Sequence, residues 1–493
     1  VAGVLDKQHI VAPPDFNRWL VPPAALAVHL SIGMAYGFSV FWLPLSRARG
    51  VTAPVEGDWA VSTLGWMYTL FFVLLGSSAA AFGGWLERAG PRKAGLLAAA
   101  CWGGGFFVSA AGLHWHRIEL LWLGSGVIGG TGLGLGYITP VSTLVRWFPD
   151  RRGLATGLAI MGFGGGALIG TPLATDLLAT FATPSSVGAT ETFLCLGALY
   201  GAAMTAGALA FRVPPPGWRP AGWSPPAGDV PRSVPVGSAV RTPQFWLLWA
   251  VLCLNVTAGI GVLGMASPMI QEVFPGRVDA AAAAGFTGLL SLFNIGGRLF
   301  WSSLSDRLGR RVTYAVFFGL GALLYAVVPL AGTAGSVPLF VAGFCVILTM
   351  YGGGFATIPA YLADLFGPAQ VGAIHGRLLT AWSTAGVAGP VLVNYLREWQ
   401  RAAGVPPAAV YDRTLWLMAG LLVLGFGANA LVRPLPPAAF ADAASQELQP
   451  APILARPPSR GSWALVAVAW AAVALPLAWG VARTLRLTAP LWR

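Results

Sequence analysis

The chain has 493 residues, of which 56% are hydrophobic and only 10% charged, and its mean hydropathy is +0.68. Soluble domains carry about 25% charged residues, so this composition excludes water as the main solvent. The net charge of +12 would suggest nucleic acid in a soluble chain. Here Lys and Arg gather in short connections between apolar stretches, which is the signature of membrane topology.

Residues 1–18 form a lead broken by Asp6, Lys7, His9, Asp15 and Arg18. It lacks the apolar core of a cleavable signal peptide, so a short cytoplasmic lead is expected. Apolar stretches long enough to cross a core of about 30 Å as a helix then follow at 19–43, 60–83, 94–113, 120–145, 153–181 and 192–211. A segment rich in Pro, Gly and Arg, 212–243, has no apolar periodicity and reads as a solvated cytoplasmic linker. Six more stretches follow, at 244–271, 280–304, 312–331, 337–363, 375–396 and 413–432. The expected units are thus an N-terminal six-helix bundle over 19–211 and a C-terminal one over 244–432. A Pro-rich linker, 433–461, leads to an extra transmembrane segment within 462–493, whose apolar part is Trp463 to Val481.

Lys and Arg concentrate in connections 2/3, 4/5, 6/7 and 8/9, which places those connections and both termini of the twelve-helix core in the cytoplasm. If the thirteenth segment crosses, Arg483, Arg486 and Arg493 come to lie outside, against that bias, and its orientation is left open. The four cysteines, Cys101, Cys195, Cys253 and Cys345, fall inside apolar stretches. Their spacing matches neither a disulfide framework nor a zinc site, and they read as packing residues.

The two halves repeat. Gly83-Gly-Trp-Leu-Glu-Arg-Ala-Gly-Pro-Arg92 and Ser302-Ser-Leu-Ser-Asp-Arg-Leu-Gly-Arg-Arg311 each follow the second helix of their half. The offset from Glu87 to Asp306 also relates Pro140 to Pro359, Gly153 to Gly372, Gly157 to Gly376 and Gly170 to Gly389. One offset held through several helices indicates a duplicated unit. Glu87, Arg88 and Arg92, with Asp306, Arg307, Arg310 and Arg311, are therefore gating candidates: the acids pair with arginines and cap helix ends, holding the cytoplasmic side shut. The plainer alternative is a set of positive-inside anchors.

The eighth stretch holds the most informative residue. Arg298 precedes Asp306 by two helical turns, about 12 Å at 1.5 Å per residue, which puts it well inside the bilayer. Thr287, Ser291, Asn294, Arg298 and Ser302 recur every three or four residues as one polar stripe. A buried guanidinium costs about 2.5–3.5 kcal/mol on insertion scales and stays protonated, so it needs an anion or water. Asp176, Glu191, Glu272, Asp279, Glu398 and Asp364 all fall toward helix ends or loops. The cargo itself is then the counter-ion, and a planar carboxylate fits the guanidinium fork; the alternative is a structural arginine bonded to carbonyls.

Asn294 sits beside Arg298 on the stripe. His29, in the first span, either contacts cargo or relays a proton, or it bonds a neighbouring helix. Tyr36, Tyr137, Tyr351 and Trp382 are candidate walls and hydroxyl contacts, with plain packing as the alternative. Glycine runs such as Gly129 to Gly136 and Gly162 to Gly166 lack the context of a nucleotide loop and read as close-packing faces. No cofactor, metal site or catalytic triad is implied, so no enzyme is expected.

The acid followed by Arg-x-Gly-x-Arg, found twice, resembles the signature loop of the major facilitator superfamily. Gly33 to Phe38, Arg146 to Ala155, Thr242 to Trp246, Gly261 to Ile270 and Tyr351 to Phe355 resemble its oxalate/formate antiporter family. The resemblance implies an all-α membrane protein of the major facilitator fold, with two pseudo-symmetric six-helix bundles of twelve transmembrane helices plus a thirteenth. It also implies a multi-pass protein of the bacterial inner membrane that carries small carboxylates, with Arg298 matching the family's substrate-binding arginine. Trp382 stands where the family's oxalate exchanger has a lysine, which favours a monocarboxylate over oxalate. The thirteenth segment resembles the single-span small subunit found beside some relatives. The expected function is secondary transport by alternating access, as anion exchange, with proton-coupled symport as the alternative and a non-transporting anion sensor as the reading from another class. The expected partners are a small carboxylate, the lipid bilayer and, under symport, protons; nucleic acid is not among them, and the chain is expected to be monomeric.

Overall fold

Glycine and proline set the helix boundaries. The structure, a computed structural model, describes residues 3, 5–223, 233–278, 280–436 and 453–488. Residues 224–232 of the linker, Asp279, 437–452 of the Pro-rich segment and 489–493 with Arg493 lie outside the described residues. The helices are α1 (Val21–Ile32), α2 (Val61–Ala89), α3 (Pro91–His114), α4 (Gly130–Trp147), α5 (Arg152–Phe181), α6 (Ala189–Ala210) and α7 (Pro243–Val273). After them come α8 (Ala280–Leu308), α9 (Arg310–Thr333), α10 (Val337–Phe366), α11 (Val371–Leu378), α12 (Thr380–Ala402), α13 (Asp412–Leu431) and α14 (Arg460–Thr488). Between α2 and α3, Gly90 takes φ +88°, and between α8 and α9 Gly309 takes φ +83°, a backbone that only glycine adopts freely. Both glycines belong to the repeated loop, so the same sharp reversal is written twice in the sequence.

Among the described residues, 11 helices are long and apolar enough to cross a membrane. Two further long stretches are helical: α8, which carries the polar stripe of Arg298, and the eleventh predicted stretch, which is broken at Leu379 into α11 and α12. The first stretch also departs from a plain helix. After α1 the chain tightens into a 3-10 run over Gly33–Phe41, long for that geometry, and this run carries Tyr36.

Large apolar side chains such as Trp66, Leu330, Leu339, Leu424 and Leu475 stand exposed, as lipid-facing residues do. Inside, α5 packs on α8, and α2 packs on α11 and α12, so the first six and second six stretches meet along two seams. The repeat offset relates α2 to α8 and α5 to α11, so it also exchanges the two seams.

The linkers are less loose than their composition predicts. Trp218–Arg219 (β1) and Ile453–Leu454 (β2) pair in parallel, and Val11 bridges Val213, so the lead and both linkers are laced together at one end of the bundle. Pro-rich sequence removes some backbone donors, but those left find partners in one another. The thirteenth segment is helical as α14. Its start lies by the first span, with Asn17 Nδ2 donating to Ser462 Oγ at 3.5 Å and Trp470 Nε1 to Trp19 O at 3.2 Å. Its end lies by the end of α5, where Arg483 is 3.6 Å from Asp176. It therefore runs alongside α1 in the same direction, and Arg483 and Arg486 sit at the end opposite the laced linkers.

Candidate functional site

Two clusters matter, one at the laced end and one midway along the helices. At the laced end, Glu87 closes α2 and Asp306 lies in the last turn of α8. Glu87 accepts from the Gly372 N–H at 3.0 Å and from Ser142 Oγ at 3.1 Å, and it pairs with Arg146. Asp306 accepts from the Gly153 and Leu154 N–H groups at 2.8 and 3.0 Å and from Arg310 at 2.6 Å. Each carboxylate thus sits on the first N–H groups of a helix from the opposite half, where the helix end is positive. Gly153 and Gly372 are themselves related by the repeat offset, so one contact occurs twice across the two seams.

A third link joins the halves where Asp364 of α10 accepts from Arg152 and from Arg310, both at 2.9 Å. Arg92 donates to Phe211 O at 3.3 Å and Arg311 donates to Ala430 O, again equivalent residues bonding equivalent helix ends. Arg88 and Arg307 are exposed and bring no ion pair to these acids among the described residues. The structure therefore divides the seven gating candidates: Glu87, Asp306 and Arg310 join the cross-half contacts, and Arg92 and Arg311 staple helices within a half. Arg146, Arg152 and Asp364 share these contacts and were not singled out as gating candidates from the sequence. They lie outside the repeated loop, which is why its pattern does not reveal them.

The second cluster surrounds Arg298, which is fully buried on α8. Its Nε donates to Asn294 Oδ1 at 3.0 Å, one turn back, and its Nη1 donates to Ile160 O of α5 at 2.9 Å. Its Nη2 is buried without a hydrogen-bond partner, and no carboxylate pairs with it among the described residues. The guanidinium carbon lies 5.8 Å from the Phe163 ring and 5.5 Å from the Phe355 ring, within cation–π range. The close approach of α5 to α8 depends on glycine: a Cβ on Gly157 would fall 3.0 Å from Arg298 O, and one on Gly164 would fall 3.2 Å from Arg298 Nε.

Around the guanidinium, aromatic rings close a box. Phe163 meets Tyr36 at 4.8 Å, Tyr137 at 5.4 Å and Trp382 at 5.3 Å between ring centroids. Trp382 meets Tyr137 at 5.2 Å and Phe355 at 4.4 Å, and the hydroxyls of Tyr36 and Tyr351 are 3.5 Å apart. The Tyr137 hydroxyl and Trp382 Nε1 are also buried without partners. The box is apolar with a few unspent donors, as small-ligand sites are.

Arg298, Asn294, Tyr36, Tyr137, Tyr351 and Trp382 therefore come together. His29 stands behind Tyr137, and its two ring nitrogens face main-chain oxygens, Ala159 O at 2.5 Å and Tyr137 O at 3.1 Å. It bonds neighbouring helices in this conformation. Phe163, Phe355 and His375 were missed as site residues. Phe163 and Phe355 each carry a large ring at the edge of a glycine run, a pattern that marks where a ring is given room. His375 is fully buried with both ring nitrogens unpartnered, 5.9 Å from the Tyr137 ring; a lone histidine in an apolar helix was its signal.

Comparison with known proteins adds the following. The family model of the Major Facilitator Superfamily matches residues 24–390. The chain is 30% identical over 379 residues to the oxalate:formate antiporter of Oxalobacter formigenes, covering 76% of this chain and 83% of that one. It is 28% identical over 356 residues to the uncharacterized MFS-type transporter YhjX of Escherichia coli, covering 71% and 81%. Among solved structures, the E. coli fucose:proton symporter FucP superposes with a TM-score of 0.61 at 14% identity, over 85% of this chain and 100% of that chain.

Proposed function

This chain belongs to the Major Facilitator Superfamily, so it is a secondary transporter of the alternating-access kind and not an enzyme, and we propose that its cargo is a small organic carboxylate. The observation that carries the proposal is the buried Arg298 with its unpartnered Nη2. A guanidinium stays charged at any accessible pH, and in a dry interior it must meet an anion. Asn294 and Ile160 hold the fork in place with two of its nitrogens, leaving the third to the cargo. A carboxylate accepts such a donor strongly, and flat aromatic walls exclude water around it. With one cation in the box and Trp382 beside it, a monocarboxylate fits better than a dicarboxylate. The similarity to an oxalate:formate antiporter supports this class.

The architecture we propose is two six-helix bundles, 19–211 and 244–432, joined by the 212–243 linker and rocking about the Arg298 box. The laced end is the cytoplasmic one, since Lys and Arg collect there, and the protein lies in a bacterial inner membrane as a monomer. The lead 1–18 and the linker 433–461 belong to that end, and the segment 462–493 crosses to the other side. The contacts of Glu87, Asp306 and Asp364 then close the cytoplasmic side. Transport proceeds by exchange of one carboxylate for another, because the site holds a fixed cation and, among the described residues, no carboxylate to carry a proton.

Thermal-shift titrations of purified protein with formate, oxalate, lactate and glycolate test the cargo class. At least one monocarboxylate stabilises the wild-type protein, and the same acid leaves Arg298→Gln unmoved. A panel of acids that stabilises neither protein contradicts the proposal.

A further inference from the structure

The geometry points to a second anion site, away from the cargo box, that takes the phosphate of an anionic lipid headgroup at the end we place in the cytoplasm. A cavity of about 400 Å³ opens between the start of α9, the end of α10 and the residues that follow α13. Arg310, Arg311 and Arg433 line it, with Asp364 and Tyr361. Arg310 is spent on Asp364, Asp306 and Ser305, and Asp364 also takes Arg152, so among the described residues Arg311 and Arg433 line the cavity without a carboxylate of their own. Arg311 spends a donor on Ala430 O, and Arg433 forms no ion pair among the described residues. The pocket therefore holds an uncompensated positive charge beside a low-dielectric wall, which favours an anion.

An independent feature agrees. Tyr361, which lines this cavity, is only 6% exposed, and its hydroxyl is buried without a partner. Its ring rests against Tyr314, with centroids 6.0 Å apart, which holds the hydroxyl in place. A phosphate oxygen would accept from that hydroxyl and from Arg311 and Arg433 together, since phosphate offers several strong acceptors to such forks.

The surroundings favour a lipid as the source. Val432 and Leu435 form part of the wall, and Leu431, next along α13, is 62% exposed, as are Leu424 at 64% and Val423 at 61%. An acyl chain can follow that apolar face while its headgroup sits among the arginines, the arrangement expected of basic pockets between membrane helices. The site also touches the gate, because Arg310 belongs both to the cavity wall and to the contacts of Asp306 and Asp364. An occupant would address the gate's own guanidinium without entering the cargo path.

Thermal unfolding of the purified full chain in detergent tests this without any cargo. Added phosphatidylglycerol raises the melting temperature and phosphatidylcholine does not. In Arg433→Gln combined with Tyr361→Phe the apparent affinity for phosphatidylglycerol falls about tenfold or more, as expected when charge-assisted hydrogen bonds are lost. If the double variant fails to fold, Arg433→Gln alone, at an exposed position, carries the same test. Stabilisation by inorganic phosphate that is lost in the same variant supports the phosphate chemistry with a soluble source as well. Equal responses of wild type and variant to phosphatidylglycerol, or no response of the wild type to either phosphatidylglycerol or inorganic phosphate, overturn the site.

Discussion

Arg298 gives the sharpest residue-scale test because its three nitrogens have separate tasks. Arg298→Gln removes the charge and the donor left for cargo, so affinity should fall by about 1.5–3 kcal/mol, or roughly ten- to hundredfold, in a thermal-shift titration. Arg298→Lys keeps the charge but loses the fork that Asn294 and Ile160 orient, and it should recover only part of that loss. A different residue reports on the outer end of the bundle. Glu272 lies at the end of α7, just past the apolar stretch 244–271, bonded by Arg397 at 2.9 Å and Tyr411 at 2.8 Å. Burial raises its carboxyl pKa, but the bonds from Arg397 and Tyr411 and the charges of Arg397 and Arg401 lower it more, so it ends below the usual value. A carboxyl lowered on folding adds stability above its unfolded pKa and loses it as pH falls through the folded one. The melting-temperature gap between wild type and Glu272→Gln should thus be full at neutral pH and shrink once pH drops below about 4.3. A gap that persists unchanged into acid would contradict that reading of the cluster.

Among elements, the two seams carry the account. Asp306 and Glu87 each hold the start of a helix from the other half, so Asp306→Asn with Glu87→Gln should loosen the closed end. In a background lacking the four native cysteines, Thr357→Cys on α10 tests this, since Thr357 is fully buried between gate and box. Maleimide labelling should be slow with the gate intact and several-fold faster in the double gate variant; equal rates would mean that the acids are anchors only. Within the second half, α8 and α10 meet where a Cβ on Gly297 would fall 2.1 Å from Thr349 O. Gly297→Ala should therefore destabilise the protein by about 1–3 kcal/mol, seen as a lower melting temperature. The same elements indicate what was legible beforehand. The polar stripe exposed Arg298 and Asn294 because a membrane helix leaves so few polar residues to explain. The repeated loop exposed Glu87 and Asp306, yet not Arg146, Arg152 or Asp364, because pairing across halves depends on how helices dock and not on local spacing. Phe163 and Phe355 were hidden for a similar reason: in a chain this apolar an aromatic ring is unremarkable until its neighbours are known. The break at Leu379 and the pairing of the linkers likewise follow from tertiary packing that no periodicity encodes.

For the whole molecule, the composition and the recurring apolar stretches made a many-helix membrane protein plain from the start, and the repeat made two related halves the natural expectation. The direction of α14 was not legible, because its arginines oppose the charge bias and only its contacts with Trp19 and Asp176 decide the matter. Exchange and proton symport differ at this scale, since symport but not exchange responds to an imposed pH gradient. The most direct test of the central claim is counterflow in liposomes holding the purified protein, loaded with an unlabelled monocarboxylate and given the labelled one outside. Labelled acid should accumulate in vesicles with the wild-type protein, independently of a pH gradient, and should fail to do so with Arg298→Gln. Full uptake by Arg298→Gln would contradict the account.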